Sequence, residues 1–560
     1  MHIEVLLLVY IINALRFKPT YTSSLTCLAC VHHPALVYVY WFFLFFLFSF
    51  FAQYQLLIMP PKRRYVSMPR DDLAWEENDK ETDEWERSLH KAELYRAIAS
   101  LIKKYRPGEA VELHTPISGG YNVFYRLEYK DGSSAAMRIP SKGIVRFPEE
   151  KVRYEVATMR CIAARTTIPV PKIYHFGTAA ENPTGLGPFI IMDYVDHEMT
   201  MSEALKDPAL EPDERHELDP NISAEKLEFL YRQMANIVLQ LSTLTFPRIG
   251  SLVEDKDGQF SASGRPLIQN MNHLIEFTDM PPTLLPSQSY STSDEWYSAL
   301  ADMHMAQLVF QHNDAVVDED DARDKYVARQ LFRRLASKGQ LTNDDDDGND
   351  GKPSMFPLFS SDLRPSNVLI DKDLKVVGVI DWEFAYAAPP QFSFDPPWWL
   401  LLKCPDEWPG AYVPWMEAYE PRLETFLRLL EEEEEKKEKK KKMRDGSSDE
   451  IGSDLANLSL EKGTPLSQRM RESWRRKTWM ISYAARNSWE FDGLFWRYLD
   501  PVYFGPNEDA DHRPRLGLLS QKEMEVMESL VKTKMEESKE RTLVRWNHDD
   551  AAAQLAKFMI

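Results

Sequence analysis

The sequence predicts a mixed α/β protein in which a short strand-rich segment is followed by a long and mostly helical one. Two observations support this class. Residues 111–140 alternate apolar and polar side chains between turn dipeptides, which is typical of paired strands. Residues 357–385 add two further apolar runs around a polar turn, whereas most of the flanking chain carries apolar residues at helical spacing. An apolar N-terminal segment stands outside this fold.

The composition of the 560 residues excludes some classes of function. Acidic residues number 87 and basic residues 67, which gives a net charge of -20. Such a surface repels phosphate backbones, so we expect no nucleic-acid binding. Four cysteines are too few for a disulfide framework, which favours a reducing, cytoplasmic setting.

The N-terminal extension, residues 1–67, differs in composition from the rest. Residues 35–58 carry no charge and are long enough, as a helix, to cross a hydrocarbon core of ~30 Å. Basic residues follow at positions 62–64, so the positive-inside rule would keep the rest of the chain in the cytoplasm, anchored by one helix. The alternative is that residues 1–58 are upstream sequence joined to a protein that starts at Met59 or Met68.

The rest of the chain divides into segments by pattern and composition. Residues 250–355 show an irregular pattern with helical patches, and the glutamate and lysine run after residue 430 predicts a helix that extends into solvent. The predicted segments are an N-terminal helical segment at 68–110, a strand-rich lobe at 111–197, a larger lobe at 198–430 that contains a hairpin at 357–385, a charged helix and linker at 431–464, and a helical region at 465–560.

The strand-rich lobe has the clearest local signals. The sequences VELHTPIS, VFYRLEY and SAAMRIP predict three strands, with the turn GGYN after the first and the hairpin dipeptide Asp131-Gly132 after the second. Pro148 at a first-turn position predicts the start of a helix. The apolar run at 189–195 predicts a buried strand.

The most informative side chains lie in the hairpin. Asp362 sits in a proline-containing loop, Asn367 opens the strand VLI, and Asp381 ends the strand VVGVI. Because the hairpin brings its two outer ends together, we expect two carboxylates and one amide to converge. Phosphoryl transfer uses this set, since one carboxylate takes the proton of the acceptor hydroxyl while the other oxygens hold magnesium. The plainer interpretation is that Asp and Asn only form turns.

This stretch resembles the H-x-D-x-x-x-x-N and I-D-W/F motifs of aminoglycoside phosphotransferase-like and choline kinase-like enzymes. The resemblance implies a bilobal protein-kinase-like fold that uses ATP and Mg²⁺, with Asp362 as catalytic base and Asn367 and Asp381 as magnesium ligands. Glu383 would assist through a water or be a surface partner. Ser360 stands where the family has a histidine that supports the loop.

The resemblance also assigns roles in a nucleotide-binding N-terminal lobe. Gly119 and Gly120 would cover the phosphates, and Arg138 would engage them in place of the usual lysine. Glu155 would hold Arg138 from the following helix. The alternatives are a surface arginine and a solvated glutamate. Finally, the backbone of Asp193, Tyr194 and Val195 would hydrogen-bond adenine.

The expected activity is therefore transfer of the ATP γ-phosphoryl group to a hydroxyl of a small molecule. The acidic balance would suit a cationic acceptor, whereas the pattern gives no oligomeric state. Two alternatives remain at this stage. One is a pseudokinase that binds nucleotide or a partner without turnover, and the other is an interaction protein tethered to a membrane through residues 35–58.

Overall fold

The computed structural model describes residues 71–211, 214–342, 354–445 and 464–560. The predicted apolar segment at 35–58 and residues 446–463 of the predicted charged helix and linker at 431–464 lie outside these residues. Within the described part of the chain, no helix combines the length and the apolar character needed to cross a membrane. The predicted mixed α/β class is confirmed, since sheets and helices alternate along the chain.

Most strands lie in the first third of the described chain or in the hairpin region. Three of the predicted strands, those in VFYRLEY, SAAMRIP and the run at 189–195, are confirmed with nearly the expected bounds, and VELHTPIS forms two short strands. The strands are β1 (Ala110–Leu113), β2 (Ile117–Ser118), β3 (Asn122–Tyr129), β4 (Ser134–Pro140), β5 (Ile173–Gly177), β6 (Phe189–Asp193), β7 (Met199–Thr200), β8 (Thr245–Phe246), β9 (Ser251–Glu254), β10 (Phe260–Gly264), β11 (Phe356–Phe359), β12 (Val368–Ile370), β13 (Val376–Val379) and β14 (Tyr386–Ala387).

Helices make up most of the remainder. The predicted helix that starts at Pro148 is confirmed, and so are the charged helix and helices after residue 465. The helices are α1 (Asp72–Ser88), α2 (Ala92–Tyr105), α3 (Pro148–Arg165), α4 (Met201–Leu205), α5 (Ala224–Leu241), α6 (Gln269–Thr278), α7 (Ser293–Phe310), α8 (Glu319–Ser337), α9 (Pro390–Phe394), α10 (Tyr412–Asp445), α11 (Leu466–Arg476), α12 (Trp479–Arg486), α13 (Phe491–Leu494), α14 (Asp500–Phe504), α15 (Gln521–Glu537) and α16 (His548–Phe558).

The N-terminal part is built on a six-stranded antiparallel sheet in the order β1-β3-β4-β6-β5, with β2 also paired to β3. One face of this sheet packs against α2, where Ile98 and Ile102 join the core formed by residues such as Tyr125. The other face packs against α3 through Val152 and Val156. Because both faces are covered, β4 is buried along its whole length.

The C-terminal part surrounds a second and larger core to which α5, α7, α8 and α10 contribute. A three-stranded sheet, β13-β12-β7, carries the predicted hairpin, with Val368 paired to Val379. The prediction of an irregular stretch with helical patches at residues 250–355 understated the helices, because α7 and α8 run for 18 and 19 residues. Helix α7 is buried on nearly all sides, so it lacks the polar face that a periodic pattern needs.

Candidate active site

The hairpin brings the three predicted oxygen-bearing residues to one place. Asn367 ends a short 3₁₀ turn directly before β12, and its carbonyl accepts a hydrogen bond of 2.9 Å from the N–H of Ile380. Asp381 is the next residue after Ile380. The side-chain amide of Asn367 donates to the Asp362 backbone oxygen at 2.8 Å and to its carboxylate at 2.9 Å. Strand pairing thus fixes the local geometry that the sequence predicted.

The carboxyl group of Asp362 has an unusual proton affinity. Burial raises the pKa of Asp362 to about 6; Arg364 opposes the rise, and the nearby carboxylates of Asp381 and Glu383 add to it. The Nε of Arg364 lies 3.0 Å from Asp362 Oδ1, and 30% of the Asp362 side chain remains exposed. A carboxyl group with this pKa is ionised at neutral pH yet accepts a proton more readily than an ordinary aspartate.

Asp381 adopts a backbone conformation that side chains other than glycine rarely take. Its φ is 60°, and the φ of Phe384, three residues later, is 58°. A non-glycine residue in this region costs of order 1–3 kcal/mol, and such residues cluster at functional sites. The strained bend lies directly after β13 and directs the chain back toward β4.

Arg138 is the centre of a buried ionic cluster. Its guanidinium donates to Glu155 on α3, to Asp381, and to Glu383 at 3.1 Å. The Arg138 side chain is 7% exposed and that of Glu155 is 1% exposed. The expected pairing of Arg138 with Glu155 is present, and the alternatives of a surface arginine and a solvated glutamate are wrong.

Glu383 does not have the surface position that was one of its two expected alternatives. It is buried, and its carboxylate accepts hydrogen bonds from Arg138 and from Asn122 at 2.9 Å, and also contacts the ammonium of Lys151. Although burial alone would raise the pKa of Glu383, Lys151 and Arg138 lower it below the ordinary value. Its carboxylate is therefore a structural counter-ion inside the cluster.

Sequence reasoning missed Lys151 and Asn122. Lys151 is buried on α3, one turn before Glu155, and its ammonium donates to the Asn122 side-chain oxygen at 2.6 Å. Asn122 is the first residue of β3. The signal that could have revealed Lys151 is its spacing of four residues from Glu155, which places both on one helix face.

The Gly119-Gly120 turn lies between two strands, as predicted, and residues 193–195 lie at the end of β6. Two of these three residues, however, already use their backbone N–H groups. Gly119 and Gly120 are exposed in the turn that joins β2 and β3, and open space surrounds the Cα of Gly120. In the segment predicted to contact adenine, the N–H of Asp193 donates to the carbonyl of Lys172, and the N–H of Tyr194 donates to the carbonyl of Ser134. Of the three residues, only Val195 has a backbone N–H without an acceptor among the described residues.

Two further predicted features concern the Val195 carbonyl and Ser360. The carbonyl of Val195 lies 2.8 Å from the Nδ1 of His197. Ser360 makes no side-chain hydrogen bond within the described residues, although its Oγ is buried. It therefore does not perform the supporting role of the histidine that it replaces.

The donor chemistry fits a hard divalent cation and a nucleotide phosphate. The Asn367 amide nitrogen is engaged by Asp362, so its oxygen is the atom left for a ligand, beside the Asp381 carboxylate. An all-oxygen set is the kind that magnesium prefers. The Arg138 guanidinium, however, occupies one oxygen of Asp381 and must share or release it when a cation binds there.

Comparison with known proteins now identifies the family likeness. Residues 231–430 match the phosphotransferase enzyme family. This match contains the hairpin with Asp362, Asn367 and Asp381, confirms the resemblance predicted from the motifs, and supports a phosphotransferase as the class of activity. It does not extend to Arg138 and Glu155.

Curated proteins are similar to this chain at low sequence identity. The chain is 23% identical over 350 residues to the altered inheritance of mitochondria protein 9, mitochondrial, of Saccharomyces cerevisiae, which covers 53% of each protein. It is 28% identical over 139 residues to a subtelomeric hrmA-associated cluster protein of Aspergillus fumigatus, covering 25% of this chain and 24% of that one. The chain therefore spans about half or less of the length of these relatives.

Solved structures give a weak likeness. A macrolide 2'-phosphotransferase type I has 13% identity and a TM-score of 0.34 over 72% of this chain and 94% of that one. A macrolide 2'-phosphotransferase of Brachybacterium faecium has 11% identity and a TM-score of 0.31 over 74% and 99%. Values this low support neither a fold nor a substrate by themselves.

Proposed function

We propose that this chain is a bilobal, kinase-like phosphotransferase that moves the γ-phosphoryl group of ATP to a hydroxyl of a small molecule, with magnesium as cofactor. The convergence of Asp362, Asn367 and Asp381 at one end of the hairpin carries the proposal. It supplies a base and an oxygen ligand set within the segment that matches the phosphotransferase family. The buried pair of Arg138 and Glu155 supports it from the N-terminal part.

Each residue has a role that follows from its contacts. Asp362 accepts the proton of the acceptor hydroxyl and orients it, because its carboxylate is ionised at neutral pH and fixed by Asn367. The Asn367 oxygen and the Asp381 carboxylate hold magnesium, which neutralises charge on the phosphate oxygens when bound. Most of the rate enhancement in this reaction class comes from positioning and charge.

The N-terminal part would hold the nucleotide. Arg138 presents a planar fork of N–H donors that suits a phosphate, and Glu155 fixes its position. Gly119 and Gly120 let the backbone approach phosphate oxygens because no side chain intervenes. The free N–H of Val195 is the donor for adenine, whereas Asp193 and Tyr194 contribute the shape of the segment.

For the acceptor, we propose a chemical class and no individual compound. A hydroxylated small molecule that carries a positive charge, such as an amine-bearing sugar or a choline-like compound, fits the net charge of -20 and the carboxylates around Asp362. In the acceptor screen, neutral sugars serve as the comparison compounds for the cationic ones.

The direct test is a screen for ATP consumption against hydroxylated metabolites, in which mass spectrometry identifies any product that has gained a phosphoryl group. We expect at least one cationic acceptor to give a phosphorylated product with the wild-type protein and none with D362N. Phosphorylation by D362N at the wild-type rate would contradict the role of Asp362.

A second candidate is a nucleotide-binding protein without turnover. It is favoured by the bond between Arg138 and Asp381, which engages the predicted metal ligand, and by the unpaired Oγ of Ser360. Thermal stabilisation by ATP, with no ATP consumption across the whole acceptor set, would favour this candidate over the enzyme.

A further inference from the structure

Lys151 is a buried cation for which neither the sequence motifs nor the family match provides a role. Its side chain is 1% exposed, and its ammonium contacts the Glu383 carboxylate and the Asn122 side-chain oxygen. Taking an ammonium group out of water is costly unless it is paired and hydrogen-bonded. The partners of Lys151 must therefore compensate for the cost of burying its charge.

These partners close a ring of alternating charges with the nucleotide-binding residues. Lys151 lies one turn from Glu155 on α3 and attracts its carboxylate electrostatically, and Glu155 contacts Arg138. Arg138 contacts Glu383 at 3.1 Å, and Glu383 contacts Lys151. The ring links three separate elements: strand β4, helix α3 and the loop that follows β13.

Asn122 extends the ring to the glycine turn. It is the first residue of β3 and follows Gly120 by two positions. Its amide donates to Glu383 at 2.9 Å while its oxygen accepts from Lys151 at 2.6 Å. Glu383 in turn follows Asp381 by two residues. The Lys151–Glu383 ion pair, together with Asn122, therefore connects the turn proposed to cover the phosphates with the loop proposed to hold magnesium.

We propose that Lys151 is a positioning residue for the magnesium nucleotide, acting through Glu383 and Asn122. The role rests on the proposed function, because it concerns the same site. Arg138 must share or release Asp381 when the magnesium nucleotide binds, and Lys151 keeps Glu383 neutralised during that change. Without Lys151, Arg138 would be the one cation left beside the buried Glu383 carboxylate within the part of the chain that the structure describes, and Glu383 would hold it away from the phosphates.

The test is isothermal titration of ADP in the presence of magnesium. K151M is expected to weaken Mg-ADP binding by about 10- to 100-fold, the range typical for loss of a residue that orients a metal site. The double variant K151M/E383Q is expected to bind more tightly than K151M alone, because the unpaired carboxylate charge is gone and Arg138 is released. Binding of ADP in EDTA should change less than binding of Mg-ADP.

A matched control separates this role from a contribution to folding. Lys534 is also buried, and its ammonium contacts Glu537 at 2.7 Å and the carbonyls of Val309 and Gln311, which lie outside the candidate site. K534M should lower the melting temperature and leave the Kd for Mg-ADP unchanged. If K151M does not fold, N122A provides the measurement, since it removes the bonds of Asn122 to Lys151 and Glu383 and should weaken Mg-ADP binding.

The outcomes distinguish the two proposals. If the wild-type protein binds Mg-ADP and folded K151M binds it equally well, the role of Lys151 is wrong and the proposed function stands. Where K151M cannot be purified, equal affinity of N122A and wild type would show that Lys151 does not act through Asn122, and the proposal as stated would be wrong. A wild-type protein that does not bind Mg-ADP at all would overturn both.

Discussion

Replacing Asp362 with Asn is expected to remove turnover and, at neutral pH, to stabilise the fold. The reason is the cost of keeping this carboxyl group ionised where it lies. Its pKa rises from the ordinary 3.8 to about 6, and each pKa unit corresponds to about 1.4 kcal/mol. The ionised form of Asp362 therefore costs the folded protein about 3 kcal/mol above pH 6.

The asparagine does not recover all of this free energy. Its amide oxygen can still accept from Asn367, but its NH₂ group then faces the Arg364 guanidinium, which contacts Asp362 Oδ1 at 3.0 Å. A buried donor that faces another donor costs about 1–2 kcal/mol. The net expectation for D362N at pH 7 is a gain of about 1–2 kcal/mol in the free energy of unfolding.

The pH dependence of stability tests whether ionised Asp362 destabilises the folded protein. Because the folded pKa lies above the unfolded one, the folded state binds more protons between about pH 4 and pH 6. The wild-type penalty is complete above pH 6 and disappears as the pH falls toward 4. The melting temperature of D362N should therefore exceed that of the wild type at pH 7, and the advantage should vanish near pH 4.

The activity of the same variant is measured as ADP release in a coupled assay with the acceptor found by screening. Loss of a general base is expected to lower kcat by about 10²- to 10⁴-fold. A D362N protein that turns over at the wild-type rate would refute the role of Asp362. One that is inactive but less stable than the wild type at pH 7 would refute the electrostatic account.

Three other predictions follow from the same contacts. In the wild type, log kcat/KM, which reports the free enzyme, should fall on the acid side with a midpoint near pH 6, and a midpoint near pH 4 would exclude Asp362 as the titrating base. E155Q should raise the Kd for Mg-ADP in calorimetry, because Arg138 loses one of the three carboxylates that position it; an unchanged Kd would contradict this. Saturating ADP at about 100 times its Kd should stabilise the protein by about 2.7 kcal/mol, and EDTA or N367A should remove the part that depends on magnesium.

The parts of the fold that were predictable depend on contacts that are short in sequence. Strands β3 and β4 pair across the Asp131-Gly132 turn, where Gly132 has a φ of 83°, so alternation and turn chemistry were sufficient. The meeting of Asn367 with Asp381 follows in the same way from a hairpin of about a dozen residues. Local patterns determine these features because the residues that interact are neighbours in the chain.

The ionic cluster could not be predicted in the same way. Asn122 and Glu383 are separated by 261 positions, and no local pattern shows that they share a hydrogen bond. Lys151 lies among polar residues at the start of α3, where a lysine is ordinarily solvated. Helix α8 begins with the charged sequence EDDARDK, which hides the buried face of its later turns. Tertiary packing decides these positions.

The two departures from the motifs that this chain resembles have different structural consequences. Arg138 replaces a lysine, and its fork contacts Glu155 through one nitrogen and Asp381 and Glu383 through the other, which a compact ammonium group reaches less readily. Ser360 leaves the loop without a histidine, yet the Asn367 amide donates to the Asp362 backbone oxygen at 2.8 Å and fixes the same loop. The arginine instead changes how the cluster is held, since one guanidinium binds the three carboxylates of Glu155, Asp381 and Glu383.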